Sequence, residues 1–125
     1  MSIMILDGPA EGVSFMLRRA PMMLRLVRAS NGHWDALNEP GDEIRESEAP
    51  HCYIMVGRPS QFHMSCRPRS ASGMFWSARY RHLAELEGGP DDTTMRSNDA
   101  WVAWCGANRE RLMALYQASC ESSAG

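Results

Sequence analysis

Turn signals cut the first two thirds of this chain into segments too short for long helices, and that punctuation constrains the fold more than any other feature. Asn31-Gly32, between the apolar stretches 22–29 and 33–37, suits the positive φ angles of a type I′ turn and predicts a β-hairpin. In Glu39-Pro40-Gly41-Asp42 proline and glycine stand where a type II turn takes them. Upstream, 3–6 and 13–18 read as strands around the loop 7–12. Downstream, 53–56, 62–66 and 74–80 read as strands separated by Arg58-Pro59-Ser60 and by 67–73. Alternation sets faces within the last two: Phe62, Met64 and Cys66 share a side, as do Met74, Trp76, Ala78 and Tyr80. Ser77, Arg79 and Arg81 turn to the other side.

About seven short strands with polar turns predict a small antiparallel barrel or sandwich, mainly β with α+β character once a helix is added. That helix is expected over 98–120, with Ser97 as N-cap and Asp99 in the first turn, where the helix dipole favours an acid. Its apolar stripe runs through Trp101, Trp104, Cys105, Leu112, Leu115 and Tyr116, interrupted by Asn108, and is expected to pack on the strands. A chain of 125 residues with 44% hydrophobic and 22% charged side chains suits one core. The division is a single domain: a β-rich body over 1–83, an acidic linker over 84–97 and the closing helix.

No segment of the sequence is long and apolar enough to span a bilayer. Met1 to Leu6 has no basic lead and ends at Asp7-Gly8-Pro9, unlike a secretory signal. The expected location is the cytoplasm of a bacterial host. Cys52, Cys66, Cys105 and Cys120 are then expected as free thiols, the more so because 105 and 120 fall in one expected helix, about 22 Å apart. No metal site or cofactor is expected: His51 with Cys52, and His63 with Cys66, sit an odd number of positions apart and diverge on a strand. His33 and Asp35 alternate onto one face, yet read as ordinary polar strand positions, and no nucleophile elbow, phosphate loop or His-Glu-x-x-His is present. No catalytic residue is assigned.

Charge is more informative, because the signs fall in blocks. All 13 basic residues are arginine, against 15 acids. Arg18, Arg19, Arg25 and Arg28 occupy one acid-free stretch, and Arg58, Arg67, Arg69, Arg79 and Arg81 another. Between them lie Asp35, Glu39, Asp42, Glu43, Glu46 and Glu48, with Arg45 as the one base. Opposed patches suit recognition of a charged protein partner or an oligomeric assembly, and the expected contact residues are Arg67, Arg69, Arg79 and Arg81 with Asp42, Glu43, Glu46 and Glu48. The alternative is nucleic-acid binding by the arginine strands, with Phe75 as a stacking surface.

Asp7-Gly8-Pro9 with Glu11-Gly12, Arg19-Ala20-Pro21, Trp34-Asp35-Ala36-Leu37 and Tyr80-Arg81-His82 resemble phrases in small uncharacterised proteins of actinobacterial bacteriophages. The resemblance covers 7–82 discontinuously. It implies a phage or prophage origin and supplies no active site. The expectation is therefore a non-enzymatic phage protein acting by contact, as an inhibitor of a host or defence factor or as a piece of virion assembly.

Overall fold

The computed structural model describes residues 1–28, 32–37, 50–64, 73–85 and 89–123. Among them six strands form one sheet in the order β2-β1-β6-β5-β3-β4, curled into an open half-barrel. They are β1 (Ser2–Ile5), β2 (Ser14–Met16), β3 (Met23–Arg28), β4 (Trp34–Leu37), β5 (His51–Met64) and β6 (Gly73–His82). A 3-10 turn, Leu83–Glu85, precedes the helices α1 (Asp92–Arg96), α2 (Asn98–Ala107) and α3 (Arg109–Ser123). The chain is thus mainly β with a helical C-terminal part, as the turn pattern and the apolar stripe predict.

All neighbours in the sheet are antiparallel except β1 and β6, which pair in parallel, Ile3 beside Ala78 and Ile5 beside Tyr80. The inner face buries Ile3, Ile5, Leu24, Leu26, Tyr53, Met55, Ala78 and Tyr80 in one cluster. The outer face of β3 and β5 meets the helices through Cys52, Ile54, Leu83, Met95, Trp101 and Leu112. Each buried aliphatic or aromatic side chain contributes about 1.5–3 kcal/mol. The sheet is therefore held from both faces.

Among the described residues six strands stand where seven were expected, because 53–56 and the described part of 62–66, up to Met64, belong to one strand. Arg58-Pro59-Ser60 reads as a turn but is a bulge: Val56 pairs with Arg79 and Ser60 with Ser77, so residues 57–59 face Ala78 alone. Gly57 absorbs the kink at φ +69°, and Pro59 falls where the ladder asks for no N–H. The β3–β4 hairpin forms, but Arg28 pairs with Trp34 and leaves five residues between them. An odd count is incompatible with the expected two-residue type I′ loop, and it shifts the strand faces by one residue.

The helical part also differs from one continuous helix over 98–120. Asn108 ends α2: its backbone N–H and its side-chain amide both turn back to the Trp104 carbonyl. Its own carbonyl accepts from the Leu112 N–H at 2.9 Å, which starts α3. Cys105 and Cys120 accordingly lie on different helices. Within the expected linker, Asp91 caps α1 by accepting from the Thr94 N–H at 2.8 Å, and Arg96 pairs with Asp92 one turn away, also at 2.8 Å. Ser97 caps α2 as expected.

The loop after β1 seals one end of the body. Asp7 accepts the His82 backbone N–H at 2.5 Å and the Ala10 N–H donates to the Tyr53 hydroxyl at 3.0 Å, with Gly8 between at φ +77°. A Cβ on Gly8 would lie 2.5 Å from the Cβ of His82, whereas one on Gly12, at φ +84°, would meet nothing within 4 Å. Gly8→Ala is expected to cost at least about 2 kcal/mol in urea unfolding, and Gly12→Ala about 1 kcal/mol from backbone strain alone.

Candidate interaction face

The outer face of the sheet is only partly covered. The helices pack mainly on β5, and the outer side of β1 and β6 carries exposed side chains. The parallel register places Met4 beside Arg79. The Leu6 N–H donates to the Tyr80 carbonyl at 2.9 Å and continues the ladder, so Leu6 stands beside Arg81. Met4 is 46% and Leu6 39% exposed, and Arg79 and Arg81 are exposed between these apolar residues and α3. At the β2 edge Met16, 63% exposed, extends the patch.

Of the expected contact residues, Arg79 and Arg81 come together here on one side of β6. Arg67, Arg69, Asp42, Glu43, Glu46 and Glu48 lie outside the described residues, as does the side chain of Phe75. Arg25 corrects the charge map. It is 2% exposed, turned toward the helices, where it donates to the Met95 carbonyl and to Asn98 Oδ1, both at 3.1 Å. Its guanidinium also lies 5.1 Å from the centre of the Trp101 ring. This arginine ties β3 to α1 and α2 rather than facing solvent.

Beside Arg79 the face drops into a cleft of about 630 Å³ between the β5 bulge and α3. The bulge builds it. Gly57 has no side chain to hold α3 away, and its buried N–H donates to Ser119 Oγ at 2.8 Å. Ser119 in turn donates to the Tyr116 carbonyl at 2.7 Å, so one hydroxyl locks α3 to the strand. Arg58, next in the bulge, lines the cleft opposite Tyr116 and Gln117, with Arg79 and Ser60 from the strands. Burial, then a hydrogen bond with Cys120, pushes the Tyr116 phenol up from its ordinary value, against the pull of Arg58. It stays a neutral hydroxyl at physiological pH.

Arg58, Met4, Leu6, Tyr116 and Gln117 carry no contact assignment at the sequence level. Arg58 hides in an apparent turn, Met4 and Leu6 read as ordinary strand residues, and Tyr116 reads as core stripe. Among the described residues, Arg58, Arg79 and Arg81 form no ion pair with a carboxylate. Their charge is presented to solvent and to whatever docks there.

Imidazoles gather at the opposite end of the sheet. His51 lies 5.7 Å from Trp34 and 5.6 Å from His82, whose ring is 5.2 Å from Tyr53. Cys52 points the other way into the helix-facing core, so the adjacent His51 and Cys52 diverge. Burial, then the neighbouring Cys105, pushes the Cys52 thiol well above its usual value, and burial raises Cys105 to about 11. Both are held as thiols, the unreactive form. His33 and Asp35 are exposed at the β4 edge. Among the described residues no three His, Cys, Asp or Glu converge as metal ligands, and no helix is long and apolar enough to cross a membrane.

No family model matches this chain, and no curated protein or solved structure is similar to it.

Two measurements check this geometry. Ser119→Ala removes the acceptor of a buried N–H and is expected to cost about 1–3 kcal/mol, with faster hydrogen exchange at Gly57 and unchanged exchange in β1. Burial, reinforced by His82, lowers the His51 pKa below its ordinary 6.5. The unfolded chain then binds the proton more readily, so stability present above pH 6.5 is lost as pH falls below it. His51→Gln should make that decline shallower in a pH series of unfolding midpoints.

Proposed function

We propose that this chain is a non-enzymatic protein-binding module whose contact face is the outer side of β1 and β6, and that its partner presents an acidic segment. One observation carries the reading: Arg79 and Arg81 stand exposed on one side of β6, with exposed Met4 and Leu6 alongside. Apolar area supplies affinity, while unpaired arginines steer an acidic partner and fix its register. Arginine serves this better than lysine because its planar fork grips carboxylates at two points.

Among the described residues nothing in the arrangement favours chemistry. Cys52 and Cys105 are held as thiols, and the histidine pair is packed among aromatic rings. The resemblance of the N-terminal phrases to phage proteins supports a phage or prophage setting, in which the partner is a host or defence factor to be inhibited or another component of an assembly. Nucleic acid is the competing partner class, since exposed arginines also attract phosphates. The overall formal charge of −2 and the flanking methionine and leucine favour protein.

A photocrosslinker at Leu6, with a second at Glu11 as control, tests the reading in a bacterial host. The Leu6 probe is expected to trap a protein through an acidic segment, and Arg79→Glu with Arg81→Glu is expected to reduce trapping at least tenfold without altering the circular dichroism spectrum. Trapping that survives both reversals would sink the proposal. So would salt-sensitive binding of single-stranded or duplex DNA that the same reversals abolish, which would transfer the face to nucleic acid.

A further inference from the structure

The cleft between the β5 bulge and α3 is a different feature from the flat face it adjoins, because its polar groups converge from three directions. We infer that it is an oxyanion subsite, taking one carboxylate or phosphate group of a docked peptide between Arg58 and Arg79. The inference rests on the proposed contact face and assigns that face's deepest point a ligand chemistry.

The bulge sets where Arg58 stands. In a regular β5 ladder each residue faces one partner on β6; here three residues face Ala78, and the chain must bow outward there. The bow is fixed rather than incidental, since Gly57 takes a positive φ and its N–H is bound to Ser119 of α3. Bulges re-aim side chains, and this one brings Arg58 to the cleft that Arg79 lines from the neighbouring strand. Two arginines from two strands line one concavity. Like charges in such a space repel each other unless an anion lies between them.

The remainder of the lining also suits an oxyanion. Ser60, Tyr116 and Gln117 offer neutral donors, suited to the outer oxygen atoms of a group already held by guanidinium forks. Tyr116 remains protonated, with its hydroxyl also hydrogen-bonded to Cys120 of the same cleft. Met113, 38% exposed at the same cleft, gives an apolar wall for the methylene stem of an acidic side chain. Glu121 also lines the cleft and opposes an anion. Its removal is therefore a sensitive test of the sign of the ligand.

The cleft is large for one acidic side chain, at about 630 Å³. A peptide segment fits that size better than a free inorganic ion. Continuity through Arg79 with the exposed β6 face supplies the path along which such a segment would lie.

The test uses the full chain and three fluorescent dodecapeptides of otherwise equal sequence, carrying glutamate, phosphoserine or lysine at the central positions, titrated at low salt. The glutamate or phosphoserine peptide should bind and the lysine peptide should not. Arg58→Ala should weaken binding about tenfold, Arg58→Lys by an intermediate factor because charge remains without the fork, and Glu121→Gln should tighten it. Amide shifts on binding should centre on Tyr116 and Gln117. Comparison of the two acidic peptides identifies which oxyanion the site prefers, and either preference supports the inference. Binding that depends on Arg79 and Arg81 but not on Arg58 would overturn the subsite and leave the contact face standing. Failure of both acidic peptides to bind at millimolar concentration would overturn the subsite and the acidic-partner reading together, whereas loss of folding in Arg58→Ala is checked by its unfolding midpoint and bypassed by Arg58→Lys.

Discussion

The parallel pairing of β1 with β6 is the constraint on which both the fold and the candidate face depend. It joins the first and last strands of the β body, residues some 75 positions apart, and no hairpin turn brings them together. What stabilises the pair is the inner row of Ile3, Ile5, Ala78 and Tyr80, all nearly fully buried. Strand alternation then leaves Met4, Arg79 and Arg81 no choice but the outer side. The core thus dictates which side chains meet a partner, and a register slip of one residue would bury arginines and expose isoleucines together.

A second, local device shapes the outer side. The β5 bulge kinks the strand, presents a bare backbone N–H at Gly57, and lets α3 settle against it through Ser119. Without that anchor α3 would rest on the packing of Leu112, Leu115 and Tyr116, contacts that resist sliding less than a hydrogen bond does. The cleft is the space left between a kinked strand and a straight helix, and its chemistry follows from Arg58 standing at the kink.

The sequence makes the broad architecture legible because strands and the helical stripe are written in period and punctuation. Alternation in 74–80 assigns Ala78 and Tyr80 inward and Arg79 outward, and Trp101, Trp104 and Leu112 pack where the stripe predicts. It fails where one residue type serves two ends. Gly-Arg-Pro-Ser suits a turn and a bulge equally, and only the partner strand decides between them. Arg25 resembles Arg79 in sequence context, yet one is buried against Trp101 and the other exposed. Strand parity separates them only once the covered part of the outer face is known. The parallel pair escapes local reading altogether, since neither strand carries a signal naming its neighbour.

The contrast between those two arginines also separates guanidiniums engaged inside the molecule from those left for recognition. Arg25 keeps its charge in the core by giving its hydrogen atoms to Met95 and Asn98 and its face to an indole, an arrangement lysine's single ammonium would not reproduce. Arg96 is engaged by Asp92 within its own helix. Arg58, Arg79 and Arg81 differ in that no described carboxylate pairs with them, and the acid that shares the cleft with Arg58 and Arg79, Glu121, forms no ion pair with either. A cation left unmatched inside a concave, partly apolar surface is an electrostatic demand, and the partner best able to meet it brings its own oxyanion.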